Sequence, residues 1–128
     1  RIDSRVERID EAIAMATMYT ANHLDIKAIV SLTESGSTPL WMSRIRSGIP
    51  IYALCRQAQT RRKILLYRGV YPVHFDIKQC MPDNINQRAM DALKKNKTLK
   101  VGDTIILTKG DMIGVHGGTN SMKIMIIE

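Results

Sequence analysis

Apolar positions along the chain change their period several times, and the changes lay out an order of elements. Near the start, in DEAIAMATMYTANHL, the residues Ile9, Ala12, Ile13, Ala16 and Tyr19 or Thr20 recur at helical spacing, with Asp10 and Glu11 at the end where a helix dipole favours acids. KAIVSL is then a short β-branched run, predicted to be a buried strand. PLWMSRIRSG predicts a helix with Gly48 at its C-cap. PIYAL is a second strand, TRRKILLYRG a helix that again ends in glycine, and VYPVHF a third strand. NINQRAMDALKKN is a helix with basic last turns. DTIILTK and SMKIMIIE are the fourth and fifth strands.

Strands that alternate with helical stretches of roughly ten to fifteen residues are the mark of βαβ units and a parallel sheet. The alternation breaks once. Only GDMIGVHGGTN separates strands four and five, and a parallel crossover needs more chain, mostly helical. The expected fold class is therefore α/β, three-layer, with a mostly parallel five-stranded sheet flanked by helices and the last strand antiparallel at the edge. A doubly wound order of 3-2-1-4-5 would bring the loops leaving strands one and four together at the switch point, where open α/β sheets bind ligands.

Composition narrows the class. At 128 residues and 45% hydrophobic, the chain suits one globular domain spanning 1–128. No apolar run approaches the ~18 residues of a membrane span, so no membrane partner is expected. The opening RIDSRVERIDEAIAMA is too charged for a signal peptide. The first residue is Arg, and the chain is read as a fragment of a longer protein. Cys55 and Cys80 are too few for a disulfide framework and match no zinc spacing, which suggests reduced thiols and a cytoplasmic location. The net charge of +7 raises nucleic acid as a partner, but aromatics are only 5%. The clusters RQAQTRRK and KKNKTLK are read as solvated helix faces and no nucleic acid is expected.

Two loops carry candidate chemistry. TESGSTP follows strand one and precedes a helix. Thr38 before Pro39 suits an N-cap with proline at the first helical position. That leaves Thr33, Ser35, Gly36 and Ser37 unexplained, and hydroxyls around a glycine at a helix start can hold an anion. Ser35, Ser37 and Thr38 are the expected donors to a phosphate, and Glu34 is expected to face away from it. The loop lacks the Lys of a Walker A motif and the spacing of GxGxxG. GDMIGVHGGTN holds Gly110, Gly114, Gly117 and Gly118, which suit a mobile hairpin connection as well as a close backbone approach to a ligand within reach of His116. The other histidines are assigned structural places, His23 at the end of the first helix and His74 packed in the third strand. No catalytic arrangement and no metal cluster stands out by spacing.

TESGST, TRRKILLYRGVYPV, GDTIILTKGD and GGTNSMKI together resemble the carboxyl-terminal domain of pyruvate kinase over nearly the whole chain, and EAIAMATMYTANHL is similar to its first helix in some bacterial isozymes. The resemblance implies a fragment of an enzyme that moves phosphate from phosphoenolpyruvate to ADP, with magnesium and potassium expected in the full enzyme and no cofactor in this domain. It implies that the catalytic residues lie in barrel and lid domains outside this chain, so that the fragment alone is inactive and has no catalytic residue or metal ligand of its own. It implies a phosphorylated small-molecule effector bound by Thr33, Glu34, Ser35, Gly36, Ser37 and Thr38. The closing loop would add His116, Gly117, Gly118 and Thr119. Members responsive to fructose 1,6-bisphosphate in animals use a Trp and an Arg before the fourth strand. Here DIKQCMPDNINQRAM has no Trp and only Lys78 and Arg88 are basic, so a sugar monophosphate or AMP fits better.

The alternative is a free-standing phosphate- or nucleotide-binding α/β module with no catalytic partner. For assembly, the fifth strand is apolar on both faces and predicted at an edge, which invites pairing with another chain. The resemblance implies a homo-oligomer that meets its twin across a two-fold axis, a dimer for the fragment and a tetramer for the full enzyme, beside the remaining domains of the enzyme.

Overall fold

The computed structural model describes residues 8–95, 99–110 and 118–128. The elements are α1 (Ile9–His23), β1 (Ala28–Leu32), α2 (Ser37–Ser43), β2 (Ile51–Cys55), α3 (Ala58–Ile64), β3 (Val70–His74), a 3-10 turn (Ile77–Gln79), α4 (Ile85–Lys95), β4 (Thr104–Gly110) and β5 (Thr119–Ile126). The sheet order is β3-β2-β1-β4-β5. β1 runs parallel to both β2 and β4, β2 parallel to β3, and β5 antiparallel to β4. This is the three-layer α/β class expected from the sequence.

The two faces follow from the winding. β1, α2, β2, α3 and β3 step outward with their helices on one face. There Ala14, Met18 and Ala21 of α1, Met42 of α2 and Ile64 of α3 pack on Ile29, Ile51, Ala53 and Ile106. The chain then returns to place β4 beside β1, and α4 lands on the opposite face. Its Ile85, Ala89, Met90 and Leu93 cover Ala28, Val30, Leu54, Ile105 and Leu107. All five residues of β1 and Ile105–Thr108 of β4 are buried, as strands covered on both faces must be. Leu93 is fully buried, so its replacement by Ala would cost about 2–5 kcal/mol.

Three local expectations are corrected. The apolar series of α1 does not form its packed face: Asp10, Ala14, Thr17, Met18 and Ala21 are buried, while Ile9, Met15 and Tyr19 are 67%, 47% and 68% exposed. α2 ends at Ser43 and not near Gly48. Its last turn tightens, with Arg44 and Ile45 donating to the carbonyls of Trp41 and Met42. α3 stops at Ile64, because Leu65 and Leu66 have no apolar surface to cover and stay exposed. Gly69 then takes a φ of +73 to turn the chain into β3.

Candidate functional site

The segment 33–38 leaves the carboxyl end of β1. Thr33 N–H still donates to the Leu54 carbonyl of β2, so the loop starts in register with the sheet. The turn itself is made at Gly36, which adopts the left-handed region with φ 85 and ψ 8. A side chain there would be strained, and its Cβ would lie 3.4 Å from Ile64 Cγ1. The turn brings two hydroxyl oxygens onto the backbone. Gly36 N–H donates to Thr33 Oγ1 at 2.8 Å, and Ser37 N–H donates to Ser35 Oγ at 3.2 Å. The loop thus caps itself.

This geometry corrects the expected cap. Gly36 is the N-cap, Ser37 is the first helical residue, and Thr38 and Pro39 lie within the first turn, both buried. Proline is tolerated there because first-turn N–H groups have no partner inside the helix. Of the three expected phosphate donors, Ser37 has another partner. The Ser37 hydroxyl donates to Asp10 Oδ2 at 2.9 Å, and Thr38 is only 1% exposed. Among the described residues, the hydroxyl protons of Ser35 and Thr33 meet no acceptor.

Asp10 was legible only as a first-turn acid, yet it is the hub beneath the loop. It is 1% exposed and receives Arg8 Nε at 2.9 Å, Arg8 Nη2 at 2.7 Å and the Glu11 N–H at 2.9 Å, besides Ser37. A contact spanning 27 residues has no local sequence signal.

Glu34 turns to Arg56, with which it pairs, and accepts from Gln57 Nε2 at 3.0 Å. Its backbone carbonyl accepts from the Thr60 hydroxyl at 3.0 Å, which ties the loop to α3. Between them lies a hollow of about 460 Å³ beside Ser35, with Lys63 as the cation on its wall. At the end of β2, burial pushes the Cys55 thiol from 9.0 up to about 11, against the pull of the Arg61 guanidinium.

β1 and β4 are neighbours, so the switch point lies where expected. Ser31 faces Thr108 across the parallel pair. Both residues are fully buried, and neither hydroxyl finds a hydrogen-bond partner among the described residues. Two residues further along each strand lie Thr33 and Gly110. Gly110 sits at a bulge opposite Thr119. A Cβ on Gly110 would fall 2.3 Å from the Gly118 carbonyl oxygen, so no other residue fits. Thr119 is 6% exposed and opens β5. The candidates Thr33, Glu34, Ser35, Gly36, Ser37 and Thr38 therefore form one folded unit, while Gly118 precedes β5 and Thr119 opens it. His116 and Gly117 lie outside the described residues.

Among the described residues, no group of three or more His, Cys, Asp or Glu side chains is placed to hold a metal ion. His23 bonds the Tyr19 carbonyl at 2.7 Å and stacks on its ring. His74, expected to be packed, is exposed, because β3 is the outer strand of the sheet. Cys55 and Cys80 are buried and free. No helix among the described residues is long and apolar enough to cross a membrane.

Comparison with known proteins identifies the fold's relatives. The family model described as "Pyruvate kinase, alpha/beta domain" matches residues 11–125. "Pyruvate kinase II" of Salmonella typhimurium is 43% identical over 131 residues, covering 100% of this chain and 27% of that protein. "Pyruvate kinase" of Buchnera aphidicola subsp. Schizaphis graminum is 44% identical over 126 residues, covering 98% of this chain and 26% of that protein. "Pyruvate kinase" of Haemophilus influenzae is 39% identical over 129 residues, covering 100% and 26%. The chain thus spans about a quarter of the length of the curated relatives it matches. The match reaches from α1 to β5 through both loops, and on it the chain belongs to the pyruvate kinase family, whose alpha/beta domain it represents.

Proposed function

We propose that this chain is the regulatory domain of a cytoplasmic pyruvate kinase and binds a phosphorylated activator, a sugar monophosphate or AMP, in the loop 33–38. The observation that carries the proposal is the self-capped turn around Gly36. Thr33 and Ser35 occupy the Gly36 and Ser37 N–H groups with uncharged oxygens. A phosphate oxygen is a stronger acceptor for the same donors, because charge-assisted hydrogen bonds are roughly twice as strong as neutral ones. On binding, Thr33 and Ser35 would turn their hydroxyl protons to the phosphate as further donors. Ser37 would stay bonded to Asp10 and hold the turn in shape. Lys63, on the wall of the hollow beside Ser35, supplies the charge.

Phosphoryl transfer from phosphoenolpyruvate to ADP would take place in the remaining domains, with magnesium and potassium, and this chain alone would form no pyruvate. The exposed β5 edge, with Ile124 48% and Ile126 63% exposed, supports a further role as the subunit interface in a homo-oligomer.

A thermal-shift series tests the binding role. A ligand that binds only the folded chain must raise the unfolding midpoint. Glucose 6-phosphate, ribose 5-phosphate or AMP should raise it, and the double variant Thr33→Val, Ser35→Ala should remove the shift while staying folded. No shift with any of them at millimolar concentration, or a shift untouched by the double variant, rejects the site.

A further inference from the structure

Between the outer edge of β3 and α4 lies a trough of about 780 Å³, well separated in the fold from the β1–β4 switch point. That volume is in the range of small-molecule sites, roughly 300–1,000 Å³. Its floor is apolar, formed by Val73, Phe75 and Ala92. Its rim carries Arg88 and Lys95 from α4, with Asp91 between them and His74 on the opposite wall. The two cations stand seven positions apart on the helix, about 10 Å along one face.

The ordinary account of Arg88, Asp91 and Lys95 is a surface ion-pair ladder at i, i+3 and i+7. The structure does not form it. The Asp91 carboxylate instead accepts from Gln87 Nε2 at 2.9 Å. Among the described residues neither Arg88 nor Lys95 has a salt bridge or a side-chain hydrogen bond. A strand added to the β3 edge is a poor occupant, since Pro72 removes a backbone donor there.

We propose that this trough is a second ligand site, which takes a small elongated dianion with a phosphate or carboxylate at each end. One acid group meets Arg88 and the other Lys95. The uncharged middle lies over Ala92 and Val73. A ligand with a single acid group gains one cation and faces Asp91, so the site selects for length. The proposal does not depend on the effector loop.

Decanedioate and butanedioate serve as long and short probes, titrated separately into the isotope-labelled 128-residue chain and followed by NMR. Decanedioate should shift the His74 and Arg88 signals and bind about tenfold more tightly than butanedioate, since only it spans both cations. Arg88→Ala with Lys95→Ala should weaken decanedioate by about tenfold or more. Arg62→Ala with Lys100→Ala, which removes the same charge from exposed positions elsewhere, should leave binding unchanged, as should Ser35→Ala. Equal affinity for the two probes, equal weakening by the two double variants, or an absence of shifts at His74 and Arg88 would each overturn the proposal.

Discussion

The most informative single perturbation is at Asp10. Its carboxylate is 1% exposed and accepts four hydrogen bonds, from Arg8 Nε and Nη2, Glu11 N–H and Ser37 Oγ. The contributions are unequal. The Arg8 side chain is half exposed, so its pairing is screened and worth at most about 1 kcal/mol despite the two-pronged geometry. The acid also stands in the first turn of α1, where the dipole adds about 0.3–1 kcal/mol. The Ser37 bond joins a hydroxyl to a buried charge, worth about 1.5–3 kcal/mol. Asp10→Ala should therefore cost about 3 kcal/mol. Asp10→Asn keeps an acceptor for Ser37 and loses mainly charge, so about 1–2 kcal/mol is expected.

Urea unfolding of the two variants, with Ser37→Ala and the double variant Asp10→Ala, Ser37→Ala, separates the terms. Breaking the pair from either side removes the same bond, so the double-mutant cycle should show coupling of about 1.5 kcal/mol. A loss below about 0.5 kcal/mol for Asp10→Ala, or a coupling near zero, would refute the hub role, because those values are what exposed surface groups give. Equal losses for Asn and Ala would show that charge alone matters and that the Ser37 bond contributes nothing.

Three further outcomes are expected. Ile124→Lys or Ile126→Lys should convert a β5-edge dimer into monomers at little cost to the fold, since both side chains are exposed; an unchanged mass by light scattering would place the interface elsewhere. Thr108→Val removes one of two facing buried hydroxyls without changing shape and should raise stability by about 1 kcal/mol in urea, with a loss contradicting the unpartnered arrangement. Cys55 holds its proton more tightly folded than unfolded, so its contribution to stability is intact below pH 9.0 and is lost as the pH rises toward about 11. Its alkylation should be slow at pH 8 in the native chain and fast once unfolded, and fast native labelling would contradict the burial.

The sheet was legible because its cues are local and redundant. β-branched runs mark the strands to within two residues, and the eight residues between Gly110 and Thr119 are too few for a helical crossover, which fixes β5 as antiparallel. The helix faces were less legible. α1 carries small or apolar residues around much of its circumference, so periodicity does not choose between the face of Ile9 and Tyr19 and the face of Ala14 and Met18. The packed choice follows Asp10, the one buried acid of that helix, and its partner is fixed only when β1 delivers Ser37.

The same coupling explains why the loop's hydroxyls could be counted in the sequence but not assigned their partners there. Proline is accepted anywhere in a first helical turn, so Pro39 fixes the start of α2 only to within that turn. Gly36 makes the final choice, since it alone in the loop takes a left-handed φ cheaply. Once the turn is there, Thr33 and Ser35 fall back onto the Gly36 and Ser37 N–H groups, and Ser37 projects toward α1. One backbone angle thus divides the hydroxyls into a pair that caps the loop's own N–H groups and one committed to holding α1. That division predicts unequal mutants: Ser35→Ala should weaken a bound phosphate with little loss of stability, whereas Ser37→Ala should lower stability first and affinity only through the loosened turn.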